Sequence, residues 1–218
     1  LHYLSFALSS LPIIVKNSFS KPDLIITIAP SLLCAPNAIL LKFLSRNNCI
    51  NLLHIQDFEI DLAFELDLIK GNLLRKFLNF MESFILKRFS YVSTISLKMT
   101  EKLIEKHVRK EKVIFFPNWV DLNQINYSFC EDSLSQNKYR KELKINKNDL
   151  VIMYSGSLNK KQGVELICNS INKLQYKKNF KWIIACEGPS KQMVIERTKK
   201  FKNVIIMPLQ PDNRLMEW

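Results

Sequence analysis

Short runs of apolar residues alternate along this chain with longer segments in which apolar residues recur every three or four positions. The short runs predict strands and the longer segments predict helices. The predicted strands are Leu24–Ile28, Asn51–Ile55, Tyr91–Ile95, Val113–Phe116, Val151–Tyr154, the run Trp182–Ser190 with its closing turn, and Asn203–Pro211. The predicted helices are Pro36–Leu44, Leu73–Phe89, Leu97–Lys106, one after Gly163 and one after Ser190. Strands that alternate with helices predict parallel, doubly wound sheets of the α/β class.

The alternation is interrupted once. Residues 122–149 are polar, and they predict an exposed linker with one short helix. We therefore expect an incomplete Rossmann-like domain at residues 1–121 and a second one, cut short, at residues 150–218. The chain begins without methionine and stops just after a strand, which suggests a piece of a longer protein.

Composition narrows the classes of function. The formal net charge is +12, and the basic residues concentrate after Lys70, which favours a partner such as anionic lipid, nucleotide phosphate or nucleic acid. Nucleic acid is the weakest of these, because no recognition helix or interleaved aromatic platform is apparent. The five cysteines form no paired motif, so neither a zinc site nor a disulfide framework is predicted. The apolar opening segment is shorter than the ~20 residues of a membrane span and predicts a buried or interfacial helix.

The helix predicted at Leu73–Phe89 is amphipathic. One stripe is apolar and aromatic, and the opposite side carries Arg75, Lys76, Glu82 and the Lys87–Arg88 pair. Packing on the sheet with a solvated charged face is the common fate of such a helix. Docking on an anionic membrane surface is the alternative.

The segment Tyr154–Ile167 predicts an anion site. A buried strand stops at Gly156, which opens a tight turn, and a helix restarts after Gly163 with Lys160 and Lys161 in the loop. Free N–H groups and the positive end of the helix dipole favour a phosphate or diphosphate there. Solvated loop lysines are the alternative interpretation.

These blocks, with Phe116–Asp121 (FPNWVD) and Ser93–Ser96 (STIS), resemble the retaining family-4 glycosyltransferases of the GT-B fold, and within them the colanic-acid and capsule type. The resemblance runs over residues 1–218. It implies two Rossmann-like domains, a nucleoside-diphosphate sugar as donor substrate, a lipid-linked saccharide acceptor, and no metal or other cofactor. It also implies a cytoplasmic protein at the inner face of the plasma membrane.

The resemblance also implies donor-binding residues in the second domain. Ser157 stands at a position where the family commonly has an arginine, and Gln162 stands where it usually has a lysine. The resemblance therefore implies that Lys161 supplies the positive charge for the donor diphosphate. Cys186 replaces the first glycine of the second turn. The implied donor-binding residues are Gly156, Ser157, Lys161, Gln162, Glu187, Gly188 and Pro189.

In the first domain, strand alternation places His54 and Gln56 on one face and Asp57 at the rim. The resemblance makes His54 and Asp57 the candidate catalytic residues, although a histidine in an apolar strand is more often part of the core. Gln56 and Asn118 are expected on the acceptor side, with a hinge role as the simpler interpretation of Asn118.

We therefore predict a glycosyltransferase of bacterial surface polysaccharide assembly. A carboxylate pair that the family uses to hold the donor is expected beyond residue 218, so residues 1–218 alone should bind donor weakly and turn over poorly. A sugar-nucleotide epimerase on the same architecture, a non-catalytic basic binding module and an inactive fragment are the alternatives.

Overall fold

A computed structural model describes residues 2–29, 32–46, 48–120 and 138–211. The chain divides into two compact units, residues 1–119 and 120–218. Most of the predicted linker, and Cys130 with it, falls on residues 121–137 and so lies outside the described residues.

The first unit is a four-stranded parallel sheet with its helices. Its strands lie in the order β1-β2-β3-β4, and each runs parallel to its neighbour. The strands are β1 (Leu24–Ala29), β2 (Ile50–Ile55), β3 (Tyr91–Thr94) and β4 (Val113–Phe115). The helices are α1 (His2–Ser9), α2 (Leu11–Ser18), α3 (Ala35–Ser45), α4 (Glu59–Glu65), α5 (Asn72–Leu86) and α6 (Leu97–Glu105).

Local sequence explains several of these boundaries. Pro36 lies in the first turn of α3, where its missing N–H costs nothing, and Arg46 ends that helix in the left-handed conformation. The Ser96 hydroxyl accepts a hydrogen bond from the Met99 N–H at 3.2 Å and so caps α6.

The second unit is a three-stranded parallel sheet in the order β5-β6-β7. Its elements are a short helix α7 (Lys138–Glu142), β5 (Leu150–Ser157), α8 (Val164–Lys173), β6 (Phe180–Glu187), α9 (Lys191–Thr198) and β7 (Val204–Met207). The α/β class and the parallel sheets predicted from the sequence are confirmed.

Each unit has its own core. In the first, Leu53 and Val92 from the sheet pack with Leu86, Phe89 and Leu103 from the helical layer. The second core surrounds the strand residues Trp182, Ile184 and Cys186. Cys49, Cys168 and Cys186 are buried free thiols, as expected for core cysteines.

Three expectations were wrong in detail. The strand predicted to stop at Tyr154 continues through Gly156 to Ser157, because β6 offers it pairing partners up to Glu187. The apolar opening segment forms two helices, α1 and α2, and not a single one. Their larger side chains, such as Phe6 and Ile13, are mostly exposed, so the buried alternative is wrong and the interfacial alternative stays a prediction. Glu82, expected on the solvated side of its helix, is buried.

Within the described parts of the chain, no helix combines the length and the apolar character needed to cross a bilayer.

Candidate functional site

The two turns predicted to hold the donor lie side by side at the carboxyl edge of the second sheet. In the parallel register of β5 and β6, Gly156 is paired with Cys186 and Ser157 with Glu187. Since ligands of open α/β sheets bind beyond the carboxyl ends of the strands, this edge is the expected place for a ligand of the second unit. The structure thus brings the predicted donor-binding residues of both turns together.

Leu158 joins the two turns through its backbone. Its N–H donates a 2.7 Å hydrogen bond to the Glu187 carbonyl, and its own carbonyl accepts one from the Ser190 N–H at 3.0 Å. Its side chain is fully buried in the second core. The turns are therefore held at a fixed separation by main-chain hydrogen bonds.

Gly188 lies at the closest approach of these turns. Its φ is +125°, and a Cβ at this position would lie 2.6 Å from the Leu158 carbonyl oxygen and 3.1 Å from Ser157 Oγ. Only glycine fits this conformation and this space. The turn residues Glu187, Gly188 and Pro189 are all exposed, so the tight backbone packing occurs directly beneath an accessible surface.

The loop that starts the next helix carries the predicted cationic residues. Lys160, Lys161 and Gln162 form one exposed 3₁₀ turn, and Gly163 follows in the left-handed conformation at φ +64°. Lys161 also has an interaction partner within the chain. Helix α8 then begins at Val164, so the positive end of its dipole faces this loop.

The helix start also carries an acidic residue. Glu165 in the first turn of α8 is exposed, and its carboxylate lies 3.5 Å from the Arg197 guanidinium. This ion pair partly neutralises a charge that would otherwise oppose an anion at the same end of the helix.

Sequence reasoning missed Lys191. This residue opens α9, and its ammonium group donates a 2.8 Å hydrogen bond to the Glu187 carboxylate. The hydrogen bond raises the pKa of Lys191. The sequence feature that could have identified Lys191 is its place two residues after the Gly188–Pro189 turn, at the first position of the predicted basic helix. It adds a cation next to the second donor turn.

Tyr154 supports the first turn from below. Its hydroxyl donates a hydrogen bond to the Ser157 carbonyl at 2.9 Å. The phenol oxygen of Tyr154 also lies close to Gly156. Burial, with a smaller contribution from Cys186, raises the pKa of Tyr154. The phenol therefore stays protonated and keeps its hydrogen bond in the physiological pH range.

In the first unit, His54 is part of the core. It is 7% exposed, its Nδ1 lies 2.9 Å from Ser93 Oγ, and its ring meets the Phe116 ring edge-on at 5.7 Å. Burial lowers the pKa of His54. The geometry is that of a hydrogen-bonded, neutral core histidine, and the catalytic role assigned to it stays a prediction.

Gln56, Asp57 and Asn118 are exposed at the carboxyl edge of the first sheet. Gln56 and Asp57 follow β2, and Asn118 follows β4 three residues after the strand ends. Asp57 lines a small crevice of about 20 Å³ with Glu59 and Glu82 among its other walls. The three predicted residues thus share one edge of one sheet.

A buried ion network, which the sequence pattern did not indicate, lies next to Asp57. Lys106 on α6 contacts the carboxylates of Asp61 (3.0 Å) and Glu82, and Lys102 contacts Asp61 at 2.9 Å. Burial would lower the pKa of Lys106, but the hydrogen bonds and charges of Glu82 and Asp61 outweigh burial and raise it. Burial would raise the pKa of Asp61, but the two lysines keep it below its usual value. The network ties α4, α5 and α6 together.

Comparisons with known proteins place these observations in a family context. No family model matches the sequence. The chain is 34% identical over 214 residues to a putative colanic acid biosynthesis glycosyl transferase, WcaI, of Escherichia coli K12. That match covers 96% of this chain and 51% of the relative. The chain therefore spans about half the length of this curated relative.

Solved structures share the fold at low sequence identity. HepE of Anabaena, solved with UDP and glucose, superposes with a TM-score of 0.67 at 15% identity, covering 94% of this chain and 53% of HepE. A UDP-GlcNAc 2-epimerase of Neisseria meningitidis, solved with UDP-GlcNAc, superposes with a TM-score of 0.57 at 14% identity, covering 98% of this chain and 56% of the epimerase. The resemblance to colanic-acid-type glycosyltransferases of the GT-B fold, predicted from the sequence, is thereby confirmed as a relationship of sequence and fold.

Proposed function

We propose that this chain is part of a glycosyltransferase that moves a sugar from a nucleoside-diphosphate sugar to a lipid-linked saccharide acceptor during surface polysaccharide assembly. The observation that carries the proposal is the pair of turns joined by Leu158 at the carboxyl edge of the second sheet. The similarity to a glycosyl transferase named for colanic acid biosynthesis supports the reaction class and the pathway class. The UDP and glucose bound by HepE support a nucleoside diphosphate sugar as donor.

The donor diphosphate would lie against the start of α8. As the glycosidic bond breaks, negative charge accumulates on the leaving diphosphate, and preorganised positive charge stabilises it. Lys161 and the helix dipole supply that charge on one side. On the other side Lys191 is paired with Glu187, so it would contribute by turning from that carboxylate to the diphosphate. Gly188 would let the main chain approach the donor closely. With the charge supplied by protein groups, we propose a metal-independent reaction. We propose retention of configuration at the transferred carbon from the family resemblance in the sequence.

The acceptor would lie at the carboxyl edge of the first sheet. Of the two candidate catalytic residues, we assign the acceptor-side role to Asp57, because its side chain is exposed whereas His54 is enclosed. Asp57 would accept a hydrogen bond from the acceptor hydroxyl or take its proton, with Gln56 and Asn118 as polar neighbours. A lipid-linked acceptor would place the protein at the cytoplasmic face of the membrane as a peripheral protein.

The test is a thermal-shift titration of the natural full-length protein with UDP, GDP, ADP and their sugars. A ligand at one hundred times its Kd stabilises the folded state by about 2.7 kcal/mol, which raises the Tm by several degrees. We expect one nucleotide to do this and Lys161→Ala to weaken the effect. Lys178→Ala is the matched control, because Lys178 is also exposed in the second unit but lies between α8 and β6, away from the two turns.

A cooperative melt that no nucleotide shifts would contradict the proposal. The epimerase alternative is separated from it by a second measurement, since an epimerase converts UDP-GlcNAc without any acceptor. Turnover of a nucleotide sugar in the absence of acceptor would favour the epimerase, and acceptor-dependent release of nucleoside diphosphate would favour the transferase. Residues 1–218 alone are proposed to bind donor weakly and to turn over poorly.

A further inference from the structure

Helix α5 is turned with most of its apolar side chains outward. Leu73 is 85% exposed and Phe80 is 67% exposed, whereas Glu82, on the opposite side of the helix, is 3% exposed. This is the reverse of the usual amphipathic helix, which buries its apolar stripe against the core. The outward face, called here the α5 face, consists of Leu73, Leu74, Phe77, Phe80, Met81 and Phe84, all of them exposed.

A continuous apolar face of this kind marks a binding surface. Single exposed apolar residues are common on soluble proteins, but six on one face of one helix, three of them phenylalanines, leave a large area of hydrocarbon in water. Leu86 and Phe89 anchor the segment in the core, and the pairing of Glu82 with Lys106 sets the rotation of the helix, which leaves the α5 face exposed.

The exposed charges carried by residues 70–88 have a single sign. Between Lys70 and Arg88 the sequence contains one acidic residue, Glu82, and the structure withdraws it into the interior, where Lys106 pairs with it. The exposed charges of the segment are then all positive: Lys70, Arg75, Lys76, Lys87 and Arg88.

The basic residues also border the apolar ones. At 100° per residue, Lys76 and the C-cap residue Lys87 project along one border of the α5 face, and Arg88 follows the helix within the angular range of the face itself. The Arg88 guanidinium lies 4.6 Å from the centre of the Phe84 ring, so charge and aromatic surface are in direct contact. Long basic side chains next to aromatic rings match the boundary between lipid phosphates and acyl chains.

We propose that the α5 face docks on an anionic lipid bilayer, with the helix parallel to the membrane surface. The phenylalanine rings would enter the boundary between headgroups and acyl chains, and the lysines and arginines would contact lipid phosphates. Charge complementarity favours a membrane over a second copy of this chain, because two such faces would bring like charges together. The inference rests on the proposed function in one respect only: docking would give the protein access to a lipid-linked acceptor.

Vesicle flotation of the natural full-length protein tests this surface without donor or acceptor. The vesicles are phosphatidylcholine alone or an equal mixture of phosphatidylcholine and phosphatidylglycerol. We expect binding to the anionic vesicles only, weakened by added salt. Phe77→Ser with Phe80→Ser should reduce binding by about tenfold or more per ring. Lys76→Glu with Lys87→Glu should reduce it by at least about fivefold per position.

Matched controls come from other exposed positions. Phe43→Ser removes a phenylalanine that is 78% exposed on α3, and Lys178→Glu reverses a charge on the second unit. Both controls should bind vesicles as the natural protein does. The mutated α5 side chains are exposed, so an unchanged Tm should accompany the loss of binding.

Three results would overturn the inference: no binding to anionic vesicles, equal binding by the α5 variants and the controls, or a dimer in solution that the phenylalanine substitutions dissociate. The last would show that a second copy covers the face. A normal nucleotide titration alongside failed vesicle binding would reject the docking surface and leave the proposed function intact.

Discussion

Gly188→Ala is the substitution whose cost follows most directly from the structure. An alanine Cβ would lie 2.6 Å from the Leu158 carbonyl oxygen and 3.0 Å from the Leu158 nitrogen, both main-chain atoms. Real Cβ contacts are not this short, so the two turns would have to separate by several tenths of an ångström. Leu158 resists that movement because its side chain is enclosed in the core and both of its main-chain hydrogen bonds cross between the turns.

The expected loss can be built from two contributions. Alanine at a φ of +125° costs about 1–3 kcal/mol in backbone strain. Weakening the two hydrogen bonds of Leu158 costs about 1 kcal/mol each. We therefore expect Gly188→Ala to lower the free energy of unfolding of the second unit by about 3–5 kcal/mol.

Gly163→Ala is the matched control in the same unit. Its φ of +64° also disfavours alanine, but a Cβ there meets no atom within 4 Å. Only the left-handed backbone cost of about 1–2 kcal/mol should remain. The difference between the two variants isolates the contact with Leu158.

Urea unfolding followed by tryptophan fluorescence measures both variants. Of the three tryptophans, Trp182 is buried in the second core, so replacing Trp119 and Trp218 by phenylalanine makes the signal specific to that unit. If Gly188→Ala and Gly163→Ala lost the same stability within about 0.5 kcal/mol, the turns would not be rigidly joined and the reasoning would fail.

Two further predictions concern the first unit. Lys106→Met should destabilise the first unit by about 3–5 kcal/mol, because the buried carboxylates of Asp61 and Glu82 lose their shared partner. Lys102→Met changes a more exposed lysine and should cost under about 1 kcal/mol in the same denaturation assay. Equal costs would contradict the assignment of Lys106 as the central cation of the network. The burial of His54 gives a pH dependence. Since its folded-state pKa lies below the unfolded value of 6.5, its contribution to stability is full above pH 6.5 and is lost as the pH falls through the folded-state pKa. His54→Gln should flatten the pH dependence of the free energy of unfolding between pH 7.5 and pH 5, which is measured by denaturation at each pH. An unchanged slope would show that other groups cause the pH dependence.

The sequence predicted the strands and the site edges well because both depend on local signals. Glycine or proline ends most of the predicted strands. Because parallel strands bring their carboxyl ends to one edge, the sequence already places Ser157 and Glu187 near each other before any register is known. The end of β5 was misjudged because Gly156 is a strong turn signal on its own. Pairing with β6, which is non-local, overrides it.

The orientation of α5 shows what local pattern cannot supply. Periodicity identified an apolar stripe and an opposite side with Glu82, and the usual rule places the stripe inside. The structure places Glu82 inside because Lys106, twenty-four positions later, neutralises it there. Such a partner lies on another helix, and a single sequence does not indicate which lysine it is. The same limit explains why Lys191 was missed, since its role depends on the position of Glu187 at the end of a neighbouring strand.

The main-chain link through Leu158 has a consequence for sequence variation at this edge. The family resemblance seen in the sequence leads one to expect arginine at Ser157 and glycine at Cys186. The Cys186 side chain is fully buried in the core, so a cysteine in place of glycine at this position leaves the turn that follows unaltered. Because hydrogen bonds between backbone atoms, not side chains, fix the distance between the turns, residues at their tips can change while the spacing persists. Such an edge can drift in sequence, and can be refitted to a different ligand, without first losing its shape.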